Sequence, residues 1–167
     1  MAGGSSNFAF LQTVEPQAYR LGFLAERYFS DDPNTCQIKL RQLSELIAQL
    51  TASRFGLVIE TSDNFADILR RLKFECSLPR EVGELFHSLR IAGNQAAHGG
   101  ADDHANALTG LKLARQLAIW YSRTFRNPTD KFGPFVPPAR PAVAVMLSTR
   151  TVSVNRSSSA CVVASRN

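Results

Sequence analysis

Cysteine is scarce in this chain of 167 residues, and its three copies, Cys36, Cys76 and Cys161, form no CxxC pair and have no histidine at metal-ligand spacing. A disulfide framework and a zinc ribbon are thereby excluded, and Cys36 and Cys76 read as reduced, small core residues. Long apolar runs are missing too: no stretch reaches the roughly 18 residues that a membrane span needs. The opening Met1-Ala2-Gly3-Gly4-Ser5 has neither the basic region nor the apolar run of a secretion signal, so a cytoplasmic protein without membrane contact is expected. GxxxxGKS/T, GxGxxG, HExxH and GxSxG do not occur, which removes the usual nucleotide, zinc-hydrolase and serine-hydrolase machinery. No cofactor is expected. No internal repeat appears, and the length suits one domain with a real core.

Acidic residues are also absent from one end. Residues 1–140 hold 16 Lys and Arg against all 14 Asp and Glu, while 141–167 hold Arg150, Arg156 and Arg166 with no acid. Much of the net charge of +5 therefore lies in that tail, and the rest is close to neutral, so the overall charge is no sign of nucleic-acid affinity by itself.

What is present is helical. Phe8, Leu11, Tyr19, Phe23, Leu24 and Tyr28 give an apolar face over residues 8–29, with Pro16 marking a break or the start of a second part. Asp31-Asp32-Pro33 opens a second helix to about residue 54, whose Leu40, Leu43, Ile47 and Leu50 fall at steps of three and four. Phe55-Gly56 stops it, and Leu57-Val58-Ile59-Glu60 reads as an ordered loop. Ser62 or Asp63 is expected to cap a third helix through Phe65, Ile68, Leu69 and Leu72. Leu78-Pro79-Arg80 opens a fourth, ended by Gly99-Gly100, and Asp102-Asp103 starts a fifth through Leu108, Leu117 and Trp120. The expectation is an all-α bundle of about five helices over 8–126, after a flexible N-terminus at 1–7. A Pro-rich linker at 127–140 and a disordered or aberrant tail at 141–167 would follow.

One polar cluster has a suggestive spacing. Arg90, Asn94 and His98 are four apart, which brings guanidinium, carboxamide and imidazole toward one stripe of the fourth helix. The stripe suits a packing and capping network, a non-catalytic binding surface, or a phosphate or ribose site. The last could extend to metal-independent RNA cleavage, with His98 as general base. Arg41 and Glu45 read as an ion pair on the second helix, with Glu26 nearby on the first as a further structural polar residue. Arg70, Arg71, Lys73 and Arg80 form a modest basic patch that could touch a nucleic-acid backbone, although no aromatic residues are interleaved to stack bases. His98, Asp102, Asp103 and His104 straddle a Gly-Gly turn without a ligand spacing, so no metal is expected.

The motifs Phe8-Ala-Phe-Leu11, Ala25-Glu26-Arg-Tyr28, Asp32-Pro33, Lys39-Leu-Arg41 with Glu45, Leu78-Pro79 and Arg90-Ile-Ala-Gly93-Asn94-Gln-Ala-Ala-His98-Gly99 resemble a known family. They are similar to the helical domain of unknown function at the N-terminus of type I restriction endonuclease R subunits and related DEAD/DEAH-box helicases. Leu117-Ala-Ile-Trp120-Tyr121 and Phe135-Val-Pro137-Pro138 also fit. The resemblance implies an accessory or interaction domain, cut off before an ATP-driven motor and nuclease. Its implied partners are the other domains or subunits of such a machine, nucleic acid, or a second copy of the chain.

That domain in turn resembles the HEPN superfamily, whose RNA-cleaving members carry an Arg, often followed directly by Asn, and then a His. Asn94 and His98 match the last two, but Gly93 stands where the Arg would be, so no catalytic role carries over. The alternatives are a freestanding HEPN-type ribonuclease of a defence or toxin system, dimeric at Arg90, Asn94 and His98, and a non-functional gene remnant.

Overall fold

The computed structural model describes residues 5–99 and 103–139. Among these residues there are five α-helices, one short 3₁₀ turn at Ala9–Leu11 and no strand. The helices are α1 (Pro16–Tyr28), α2 (Pro33–Arg54), α3 (Phe65–Glu75), α4 (Arg80–Ala97) and α5 (His104–Phe125). The expectations for Gly100, Asp102 and the tail from 141 onward lie outside the described residues.

The helix starts follow local chemistry. Asp32 caps α2 by accepting from the Thr35 backbone N–H at 2.8 Å, with Pro33 in the first turn. These bonds, first the one from the Thr35 hydroxyl, hold the Asp32 carboxyl below its ordinary range. The cap of α3 is Asn64 rather than Ser62 or Asp63. Asn64 and Asp67 form a reciprocal capping box. Asp63 is engaged elsewhere, accepting from the Glu60 N–H at 3.0 Å and from Arg71 at 3.0 Å, which fastens the loop before α3. Asp103 caps α5. Gly99, at φ 78°, makes the left-handed turn that ends α4.

Helix α2 is central and touches each of the other four. That is why its buried residues, including Cys36, Leu40, Leu43, Ser44, Ile47, Ala48 and Thr51, spread beyond a single stripe. The two hydroxyls among them are satisfied within the helix, Ser44 donating to the Arg41 carbonyl and Thr51 to the Ile47 carbonyl. Phe8, Phe29, Phe86, Leu111 and Leu117 fill the space around α2.

Both ends of the described chain are attached to this core. Residues 5–7, expected to be flexible, include buried Ser5 and Asn7. Asn7 explains the anchoring: its Nδ2 donates to Glu26 Oε1 and to the Val136 carbonyl, and its Oδ1 accepts from the Val136 N–H at 2.8 Å. The amide thus pairs with residue 136 as a neighbouring strand would. Residues 127–139 contain no helix, as their prolines dictate, and lie along the bundle. Phe132 meets Phe10 edge-on, Arg115 donates to the Gly133 carbonyl, and Ser30 donates to the Ala139 carbonyl.

Candidate functional site

The buried face of α4 is Val82, Phe86, Leu89, Gly93 and Ala96, alternating steps of four and three. Arg90 and Asn94 lie half-buried at its edge, and His98, the cap residue after the last turn, is exposed. The cause is helical geometry: a step of four residues overshoots a full turn by about 40°. The three groups therefore drift from the edge of the interface toward solvent rather than stacking in line. Their side chains make no hydrogen bond or ion pair with one another or with other described residues. The packing and capping network considered for them is not formed among the described residues.

Beside the stripe, α4 packs tightly against α2 at Gly93. A Cβ on Gly93 would fall 2.3 Å from Arg41 Cβ and 2.9 Å from Arg41 Cδ. Arg41 lies across this glycine with its Nε buried and without a hydrogen-bond partner, while its guanidinium reaches Glu45 at 3.9 Å. That distance makes a weak, one-third-exposed pair. Glu26 does not join it, being held by Asn7. Position 93 is therefore a helix contact with no room for a side chain.

The basic patch divides in two. Arg71 bonds to Glu75 at 2.9 Å, Asp63 at 3.0 Å and the Val58 carbonyl, and is spent on fixing the loop before α3. Arg70, Lys73 and Arg80 instead rim a groove of about 760 Å³ between α3 and α4, whose walls include Leu69, Phe74 and Leu78. Phe74 is 74% exposed, with the Lys73 ammonium 5.6 Å from its ring centre. The basic patch thus has an aromatic partner, contrary to the expectation. Its signal was the adjacency of Lys73 and Phe74, two residues on a helix face that the apolar pattern of α3 leaves outward. Arg70 is paired with Asp67 at 2.7 Å and Arg80 with Glu84 at 2.9 Å.

Among the described residues no three His, Cys, Asp or Glu side chains gather. Asp103 is spent on its cap, and His104 Nε2 lies 3.0 Å from the Ser30 carbonyl with its ring edge-on to Phe29. No helix among the described residues is long and apolar enough to cross a membrane. Burial pushes the Cys36 thiol up to about 12, with Glu26 and Asp32 adding to the effect.

The described residues thus form an all-helical bundle with a polar stripe along α4 and an open groove between α3 and α4. Residues 24–126 match the family described as Domain of unknown function (DUF4145), and the chain belongs to that family. It is 38% identical over 127 residues to the Type I restriction enzyme EcoKI endonuclease subunit of Escherichia coli (strain K12). That stretch is 75% of this chain and 10% of the E. coli protein. The resemblance to the domain of unknown function of type I restriction subunits is thereby shown. No solved structure matches the chain.

Proposed function

We propose that this chain is a non-catalytic accessory domain of a type I restriction endonuclease subunit, working through contacts with the rest of the restriction complex. The observation that carries the reading is Gly93 packed under Arg41. The arginine that would stabilise a cleaved phosphate has no place there, and His98 stands free in solvent, with no group to orient it among the described residues. General acid–base work needs a positioned proton acceptor beside a charge-stabilising group, and the stripe supplies neither pairing. What the stripe and the groove supply is surface for recognition.

A graft tests this. The matched stretch of the E. coli subunit is deleted, or replaced by this chain, and assembly of the restriction complex is followed by size-exclusion chromatography. Expected is weakened assembly on deletion and recovery with the graft. Assembly indifferent to the deletion would overturn the proposal.

A further inference from the structure

Four glycines lie inside α-helices, and three are accounted for by close approach: Gly22 under Phe8, Gly93 under Arg41 and Gly110 against Leu40. Gly83 is different. A Cβ there would meet nothing within 4 Å, and the residue lies in the interior of α4, where glycine costs roughly 0.5–1 kcal/mol relative to alanine. Neither packing nor backbone conformation asks for it. Gly83 lines the α3–α4 groove opposite Phe74 and Leu69, so its missing side chain keeps the groove open.

We infer that this groove docks an amphipathic helical segment of a partner protein, with apolar anchors facing Phe74, Leu69 and Leu78 and acidic residues facing Lys73, Arg70 and Arg80. The inference rests on the interaction-domain reading and names its surface. Arg70 and Arg80 are already paired with Asp67 and Glu84, and Lys73 adds a further cation, so the walls keep a net positive charge that favours an acidic occupant. The volume lies within the roughly 300–1,000 Å³ of ordinary ligand sites and suits a few large side chains. The chain's own residues 141–167 carry three arginines and no acid, the wrong charge to fill it. Nucleic acid fits less well. Residues 1–140 are nearly charge-balanced, whereas phosphate-driven binding draws on several free Lys and Arg spread over a surface.

The test titrates the whole chain with a labelled helical peptide bearing leucines at i, i+3, i+4 and i+7 between glutamates, followed by fluorescence anisotropy. The same peptide with lysines for glutamates and a single-stranded oligonucleotide serve as rivals. Expected is preference for the glutamate peptide by about tenfold or more. Gly83→Leu, which fills the groove, should abolish the binding while leaving the melting temperature equal or higher, because leucine is the better helix former. Lys73→Glu should reverse the preference between the two peptides. Absence of peptide binding, binding untouched by Gly83→Leu, or oligonucleotide bound in place of the peptide would each overturn the inference. A positive graft alongside any of these results leaves the interaction-domain reading standing, whereas a failed graft with groove-dependent peptide binding removes that reading alone.

Discussion

Helix α4 contains two glycines that should respond in opposite directions to the same substitution. At Gly83 an added methyl meets open space, so Gly83→Ala gains helix propensity and should stabilise the fold by about 0.5–1 kcal/mol. At Gly93 the methyl would lie 2.3 Å from Arg41 Cβ, an atom fixed to the α2 backbone. The two helices must separate, and overpacking of this kind costs about 1–3 kcal/mol, which less the propensity gain leaves a net loss of up to about 2.5 kcal/mol. For a domain of this size, 1 kcal/mol moves the melting temperature by roughly 4 °C, so Gly93→Ala should melt several degrees below wild type and Gly83→Ala slightly above it. Thermal unfolding followed by circular dichroism reads both. Arg41→Ala should not rescue Gly93→Ala, because alanine keeps the offending Cβ. Equal stabilisation by both glycine replacements would refute the close α2–α4 contact and, with it, the observation on which the proposed non-catalytic reading rests.

Three further outcomes follow from particular contacts. Cys36 should resist a thiol reagent in the native protein and react only on unfolding, while half-buried Cys76 reacts sooner; mass spectrometry of time-quenched samples checks this, and early labelling of Cys36 would contradict its burial. Asp32 has a lowered folded pKa, so the stability it adds is full above its ordinary 3.8 and is lost as pH falls below that value. Asp32→Ala should cost about 1 kcal/mol at pH 7 in denaturant titration and less at pH 2. Asn7→Ala should release the 127–139 segment, seen as faster amide exchange at Val136, whose N–H loses its acceptor, with α2 and α4 unchanged.

The helical architecture was legible because its signals are local: Asp32-Pro33 at one start, Asp103 at another, Gly99 at a stop, and apolar residues at steps of three and four. An error came at the start of α3, where Ser62 or Asp63 was expected as the cap and Asn64 takes that place, Asp63 being engaged by the Glu60 N–H and by Arg71, eight residues further on. The anchoring of both chain ends was illegible for a related reason. Asn7 and Val136 are 129 residues apart, and a single amide mimicking a strand leaves no pattern in sequence. At the candidate site, the spacing of Arg90, Asn94 and His98 suggests one stripe of a helix, but the accumulating rotation and the opposing helix set their exposure. That Gly93 faces Arg41 is a tertiary fact. The openness at Gly83 could only be found by asking what its absent side chain would touch.

The most direct test of the non-catalytic reading is cleavage of a fluorescent RNA in the presence of a metal chelator, comparing wild type with His98→Ala and Asn94→Ala. Equal background in all three proteins is expected. Cleavage by wild type that disappears with His98→Ala, in a variant that remains folded, would contradict the account.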